Sequence, residues 1–127
     1  MRCALAVIDQ ALQPNSRDAF VLVAQRDGEL VGYVAYAPAS MTEGSYDLHW
    51  IVSEPAHRGK GVGTALIASM EADLRRRNAR LVRVETSATE DYGPARGFYQ
   101  SMRYNEEARF RDFYRPGDDL ILLKKKL

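Results

Sequence analysis

The spacing of apolar and polar positions changes several times along the chain, and each change marks an element. Phe20–Arg26 (FVLVAQR) and Glu29–Pro38 (ELVGYVAYAP) are runs rich in β-branched and aromatic residues, separated by Asp27-Gly28. Glycine accepts the positive φ of a tight two-residue turn, so the pair predicts a hairpin. Residues 40–45 (SMTEGS) are turn-like. In residues 46–53 (YDLHWIVS), Tyr46, Leu48, Trp50 and Val52 alternate with Asp47, His49 and Ile51, which predicts a strand with one apolar face. A glycine-rich loop covers 54–63, and the period then lengthens. Val62, Leu66, Met70 and Leu74 recur every fourth residue with Ala65 beside them, predicting an amphipathic helix to about Arg77. Arg75, Arg76 and Arg77 suit the negative end of its dipole as solvated cations.

Leu81–Ser87 (LVRVETS) predicts another strand, and 94–102 a short helix, since proline tolerates the first turn and Ala95, Phe98, Tyr99 and Met102 share a face. Residues 107–114 and 120–125 form a last pair of extended runs around Pro116-Gly117, with Lys124–Lys126 as a charged edge-strand end. The first dozen residues, apolar from Cys3 to Ile8, mimic a signal peptide weakly; the preferred reading is the remnant of an amphipathic helix running to about Leu12. The order is hairpin, strand, helix, strand, helix, hairpin. That is an α/β chain whose mixed, mainly antiparallel sheet contains a central parallel strand–helix–strand unit and flanking helices.

Length bounds the rest: 127 residues make one domain, 1–127. Hydrophobic residues at 46% and charged residues at 28% fit a soluble globular protein and exclude wholesale disorder. A net charge of +1 lacks the basic excess of a duplex-binding domain, so no nucleic-acid partner is expected. No apolar run reaches membrane-span length, so no membrane partner is expected either. The single cysteine, Cys3, cannot form an internal disulfide, which points to a reducing, cytoplasmic setting. Two histidines and one cysteine offer no metal-ligand spacing, and no metal is predicted.

The chemistry concentrates in His57-Arg58-Gly59-Lys60-Gly61-Val62-Gly63-Thr64, between a strand and a helix start. Glycines let the backbone approach a ligand, the helix supplies unpaired N–H groups, and Arg58 and Lys60 add charge; together they make a pyrophosphate cradle. The competing reading is a turn that merely needs sharp geometry. A Walker loop would need a glycine at Glu54 and a Ser or Thr after Lys60. The dinucleotide pattern begins at Gly59 and Gly61 but meets Thr64, although Glu85 stands near the ribose-binding position. Arg58-x-x-Gly61-x-Gly63 matches a third pattern, the R/Q-x-x-G-x-G/A loop of the GNAT superfamily of acyl-CoA-dependent N-acetyltransferases, and Ala95-x-x-Phe98-Tyr99 up to Tyr104 resembles that family's second signature. The run from about Val21 to Leu127 resembles the family's order of elements. Two departures stand out: Arg103 takes the place of a glycine, implying a differently built turn, and the family's first strand and helix look largely absent ahead of Phe20.

The resemblance implies transfer of an acetyl group from acetyl-CoA, a co-substrate, to a primary amine, with a small-molecule acceptor favoured. The rival is a non-catalytic acyl-CoA-binding or interaction module; a dinucleotide-binding domain is a weaker third. In the family the pantetheine arm lies between two splayed parallel strands, here 46–53 and Leu81–Ser87. Amides near Ile51 and Val52 would hold the thioester, those of Arg58, Gly59, Lys60, Gly61, Val62, Gly63 and Thr64 the pyrophosphate, with Ala95 and Phe98 alongside. Tyr99 stands where the family places its general acid. The base is open among His49, Glu85 and Asp47, with ordered water as a further option, and Glu85 could instead pair with Arg83. The loop 111–119 is either a substrate-edge element or a plain polar hairpin. A sheet lacking its first strand would expose an edge, so a homodimer is also an expectation.

Overall fold

The computed structural model describes residues 4–8, 19–57 and 61–127. In chain order the elements are β1 (Ala4–Ile8), β2 (Phe20–Arg26), β3 (Glu29–Pro38), β4 (Ser45–Ser53), α1 (Val62–Arg76), β5 (Leu81–Ser87), α2 (Gly93–Ser101), β6 (Asn105–Arg115) and β7 (Asp118–Lys126). The strands form one sheet in the order β1-β2-β3-β4-β5-β7-β6. Only the β4–β5 pair is parallel, and α1 is the crossover between them. Asp27 and Gly28 both take positive φ, which closes the β2–β3 turn with the twist of its strands.

The four-residue apolar stripe of α1 does what its spacing predicts. Val62, Leu66, Met70 and Leu74, joined by Ile67, are buried against Leu22, Val34, Tyr36, Leu48, Val82 and Val84 of the sheet. α2 packs beside α1, and its Tyr99 belongs to the same core with Tyr104.

Three sequence expectations are corrected. Ala4–Ile8 is a strand, pairing antiparallel with β2 from Ala4–Gln25 to Ile8–Val21, rather than the remnant of a helix. Five apolar residues are too few to display either period, and the β2 edge decides. A first strand is therefore present, and the sheet ends on β1 instead of on β2. Residues 9–18, where a helix was also expected to be missing, lie outside the described residues. Second, β7 is not an edge strand: it lies between β5 and β6, and Lys125 turns inward to Glu71 at 2.8 Å. Third, the turn after α2 keeps the left-handed geometry a glycine would give, with Arg103 at φ 73°. Tyr104 N–H donates to the Tyr99 carbonyl and Arg103 N–H to that of Gln100, and the Tyr99 and Tyr104 rings touch edge-on at 6.2 Å. This is the two-bond Schellman closure with its hydrophobic contact.

Two buried acids on the helix side of the core escape sequence reading. Glu71 accepts from Tyr104 Oη at 2.8 Å and pairs with Lys125. Asp73 accepts from Tyr36 Oη at 2.6 Å and pairs at 3.0 Å with both Arg76 and Arg77. The helix-end arginines are thus partners of Asp73 rather than only solvated cations, and the Arg77 guanidinium also lies 3.7 Å from the centre of the Phe20 ring. Burial pushes the Asp73 carboxyl up, but the Tyr36 and arginine hydrogen bonds outweigh it and hold it below the ordinary aspartate value.

An unfolded aspartate titrates near ~3.9, above Asp73 in the fold. Its contribution to stability is therefore complete above that pH and is lost as the pH falls through the lower folded value. Asp73→Asn should cost about 1–3 kcal/mol at pH 7, and in urea unfolding from pH 7 to 3 the gap to wild type should narrow; a gap independent of pH would contradict the assignment. Arg103→Gly should raise stability by about 0.5–1 kcal/mol, because glycine removes the left-handed strain and loses only part of that gain to chain entropy. A melting temperature at or below wild type would show that Arg103 is not strained there.

Candidate active site

β4 and β5 pair at Ser45–Leu81, Tyr46–Val82, Asp47–Arg83 and Leu48–Val84. The ladder then stops, although β4 continues to Ser53 and β5 to Ser87. Each strand keeps its outer neighbour to the end, β4 on β3 as far as Ser53–Gly32 and β5 on β7 as far as Ser87–Leu120. The two strands therefore part inside the sheet. The edges they turn toward one another carry backbone N–H and C=O groups with no strand partner, which water or a ligand must satisfy.

A bulge sits at the fork. In the β3–β4 ladder Ala35 faces Trp50 and Tyr36 faces Leu48, so His49 is the extra residue. A bulge bends its strand and sharpens the twist. It also reverses which residues face the core, and this corrects the expected apolar face of residues 46–53. Leu48 and Ile51 pack into the core, whereas Trp50 is 65% and Val52 45% exposed. Simple alternation counted from Tyr46 fails one residue past Leu48, because the count includes His49.

Exposing Trp50 builds a cavity at the fork. Asp47, Leu48, His49, Trp50, Arg83, Glu85 and Tyr114 line about 290 Å³. His49, Glu85 and Asp47, the three candidate bases, are thus brought together. They are not equivalent. Asp47 is held by a forked pair from Arg83, Nε to Oδ1 at 2.7 Å and Nη2 to Oδ2 at 3.0 Å, and this hydrogen bonding raises the guanidinium further above its usual value. The alternative reading of Glu85 as the salt-bridge partner of Arg83 or another arginine is not met by an ion pair, although the Glu85 charge also raises the Arg83 guanidinium. The Glu85 and His49 side chains make no hydrogen bond or ion pair with the other described residues. Trp50 and Tyr114 are the lining residues that sequence reading missed. The signal for Tyr114 lay in the aromatic loop 111–119, and here its phenol is raised by burial and by the charges of Glu85 and Asp118.

The glycine loop is partly in view. Arg58, Gly59 and Lys60 lie outside the described residues. Gly61 caps α1 at φ 82° without a side-chain hydrogen bond, and open space surrounds the place a Cβ would take, so it is glycine for its backbone angle and not for room. The first helical bond runs from Ala65 N–H to the Gly61 carbonyl at 2.9 Å. The N–H groups of Val62, Gly63 and Thr64 precede it and have no intrahelical partner, and no acidic residue stands in the first turn. This end of α1 presents donors and the positive end of the dipole to anything that approaches.

α2 closes the other side of that helix start. A Cβ on Gly63 would lie 3.1 Å from the Phe98 ring, so Gly63 is glycine for closeness. Ala95 is half-buried against the core. Arg96 Nη1 donates at 2.7 Å to the carbonyls of both Ser87 and Thr89, tying α2 to the chain leaving β5. Tyr99 does not line the fork cavity. Its ring is 8% exposed, between Phe98 and Tyr104, its hydroxyl has no partner among the described residues, and burial raises its pKa.

With this geometry in view, four likenesses to known proteins bear on it. The family model described as acetyltransferase (GNAT) family matches residues 3–104. An uncharacterized N-acetyltransferase, MJ1530, from Methanocaldococcus jannaschii is 32% identical over 107 residues, 82% of this chain and 64% of that protein, so the chain spans under two thirds of that relative's length. A solved structure from Desulfovibrio desulfuricans, described as an acetyltransferase of the GNAT family, superposes with a TM-score of 0.85 at 37% identity, covering 88% of this chain and 71% of that one. A Bacillus anthracis protein described as a streptothricin acetyltransferase, solved with acetyl coenzyme A, shares the fold at a TM-score of 0.79 and 16% identity, over 89% of this chain and 65% of its own.

Proposed function

Because the chain belongs to the GNAT acetyltransferase family, we propose that it moves the acetyl group of acetyl-CoA to the primary amine of a small-molecule acceptor, across the fork between β4 and β5. The observation that carries this reading is the end of the β4–β5 ladder after Leu48–Val84, which leaves two facing backbone edges inside a sheet otherwise paired. The acetyl-CoA bound by the Bacillus anthracis neighbour of the same fold supports the choice of donor.

The protein groups divide the work by position. The free β4 edge at Ile51 and Val52 holds the thioester arm and places N–H donors toward the carbonyl, where negative charge grows as the amine attacks. The amides of Gly61, Val62, Gly63 and Thr64, with Arg58, Gly59 and Lys60 before them, take the pyrophosphate at the start of α1. Ala95 and Phe98 wall that side. The Tyr99 phenol, kept protonated by burial, gives its proton to the departing thiolate. In the fork cavity His49, the extra residue of the β4 bulge, takes the proton that the acceptor loses.

Two substitutions test the donor site and the acid separately. Gly61→Asp and Gly61→Asn place similar side chains at the same left-handed backbone, and only the first adds negative charge. At about 100 times its dissociation constant a ligand adds ~2.7 kcal/mol to stability, roughly 8–13 °C in melting temperature for a chain of this size. CoA should give that shift in wild type, a reduced one in Gly61→Asn and none in Gly61→Asp. Tyr99→Phe keeps the ring and should lower kcat by about 10²-fold with KM little changed. Retention of more than half the wild-type kcat, with thiol release rate-limiting, would make Tyr99 a packing residue alone.

A further inference from the structure

The fork cavity has a charge pattern that the transfer reaction does not use up. Asp47 and Arg83 hold each other through a forked pair, and the Arg83 guanidinium also feels the Glu85 charge without forming an ion pair with it. Glu85 is left as an exposed carboxylate with no ion pair among the described residues, in a cavity shared with two exposed aromatics, Trp50 at 65% and Tyr114 at 44%. An amine that attacks a thioester must be neutral at that moment, so the reacting nitrogen gives Glu85 no lasting partner. A second positive centre on the acceptor would stay charged throughout the reaction. It would find a carboxylate for Coulomb attraction and ring faces for cation–π contact. An acceptor carrying a carboxylate would meet Glu85 with the Arg83 fork already spent on Asp47. At about 290 Å³ the cavity falls just below the ~300–1,000 Å³ range of small-ligand pockets, which favours a short chain.

Resting on the reading above, we propose that the acceptor is a short diamine, and that Glu85 with Trp50 and Tyr114 selects it by holding the ammonium that does not react. Glu85 is then a specificity-determining residue and not the base. The idea differs from general amine acetylation in a measurable way: the far end of the acceptor matters, and its charge decides.

Three acceptors of one length isolate that end: 1,5-diaminopentane, pentylamine and 5-aminopentanoate. With the full chain at saturating acetyl-CoA, kcat/KM should be at least tenfold higher for the diamine than for pentylamine, and lowest for the carboxylate. Salt should shrink the preference. Glu85→Gln, at an exposed position, should bring the diamine and pentylamine within about threefold through KM. A fall in kcat for all three acceptors would make Glu85 the base and overturn the assignment. So would equal kcat/KM for diamine and pentylamine in wild type, a result that leaves acetyl transfer itself intact. A second readout does not depend on turnover. Trp50 is the one tryptophan of the chain, so its emission reports on this cavity alone. The diamine should change that emission saturably in wild type and not in Glu85→Gln. If no amine is acetylated yet that response appears, the acetyltransferase reading fails and the cation site stands. If the diamine leaves the emission unchanged, the cation site fails.

Discussion

Four residue pairs, from Ser45–Leu81 to Leu48–Val84, make up the whole strand ladder between the two halves of the sheet among the described residues. On one side lie β1 to β4 and on the other β5, β7 and β6. A sheet so weakly joined at its middle needs a second tie, and α1 provides it. Its apolar stripe lies across strands of both halves, with Val34 and Leu48 on one and Val82 and Val84 on the other. Its two buried acids reach outward in opposite directions: Asp73 to Tyr36 of β3, and Glu71 to Tyr104 and to Lys125 of β7. Burying a carboxylate is costly unless it is paired and hydrogen-bonded, and both are. The helix thereby holds the halves together while the strands beneath it remain parted.

Parting the strands is what creates a site. A continuous ladder would consume the backbone groups that residues 49–53 and 85–87 turn toward one another; the bulge at His49 interrupts the register of β4 there, and those inner edges have no strand partner. The same extra residue turns Trp50 outward to line a cavity that would otherwise lack an aromatic wall from β4. One irregularity therefore yields both the gap for a thioester arm and the surface for an acceptor, with the start of α1 next along the chain from β4.

Much of this was legible in the chain, and the limits have physical causes. The four-residue stripe of α1, the Asp27-Gly28 turn and the proline-led start of α2 are local signals, and the elements lie where those signals put them. The parallel unit followed from the strand–helix–strand order, and the fork from resemblance in two short motifs. What could not be read is non-local. Glu71 and Asp73 look like ordinary polar residues of a helix until partners 33 to 54 positions away come into contact. Lys125 looks like part of a solvated tail for the same reason. The outward turn of Trp50 was misjudged because alternation presumes an unbroken register, and no residue in the strand announces the bulge. Ala4–Ile8 is too short to carry a period, so its strand character comes from β2.

If the fork is where acetyl-CoA is held, its free backbone groups become hydrogen-bonded when the ligand binds, and their exchange with solvent deuterium slows. Amide exchange with and without acetyl-CoA measures this directly. Protection should appear in residues 49–53 and 85–87 and at Val62, Gly63 and Thr64, while β2 and β3, already paired on both sides, stay unchanged. Binding of acetyl-CoA that protects other segments and leaves the facing edges of β4 and β5 exchanging as before would contradict the account.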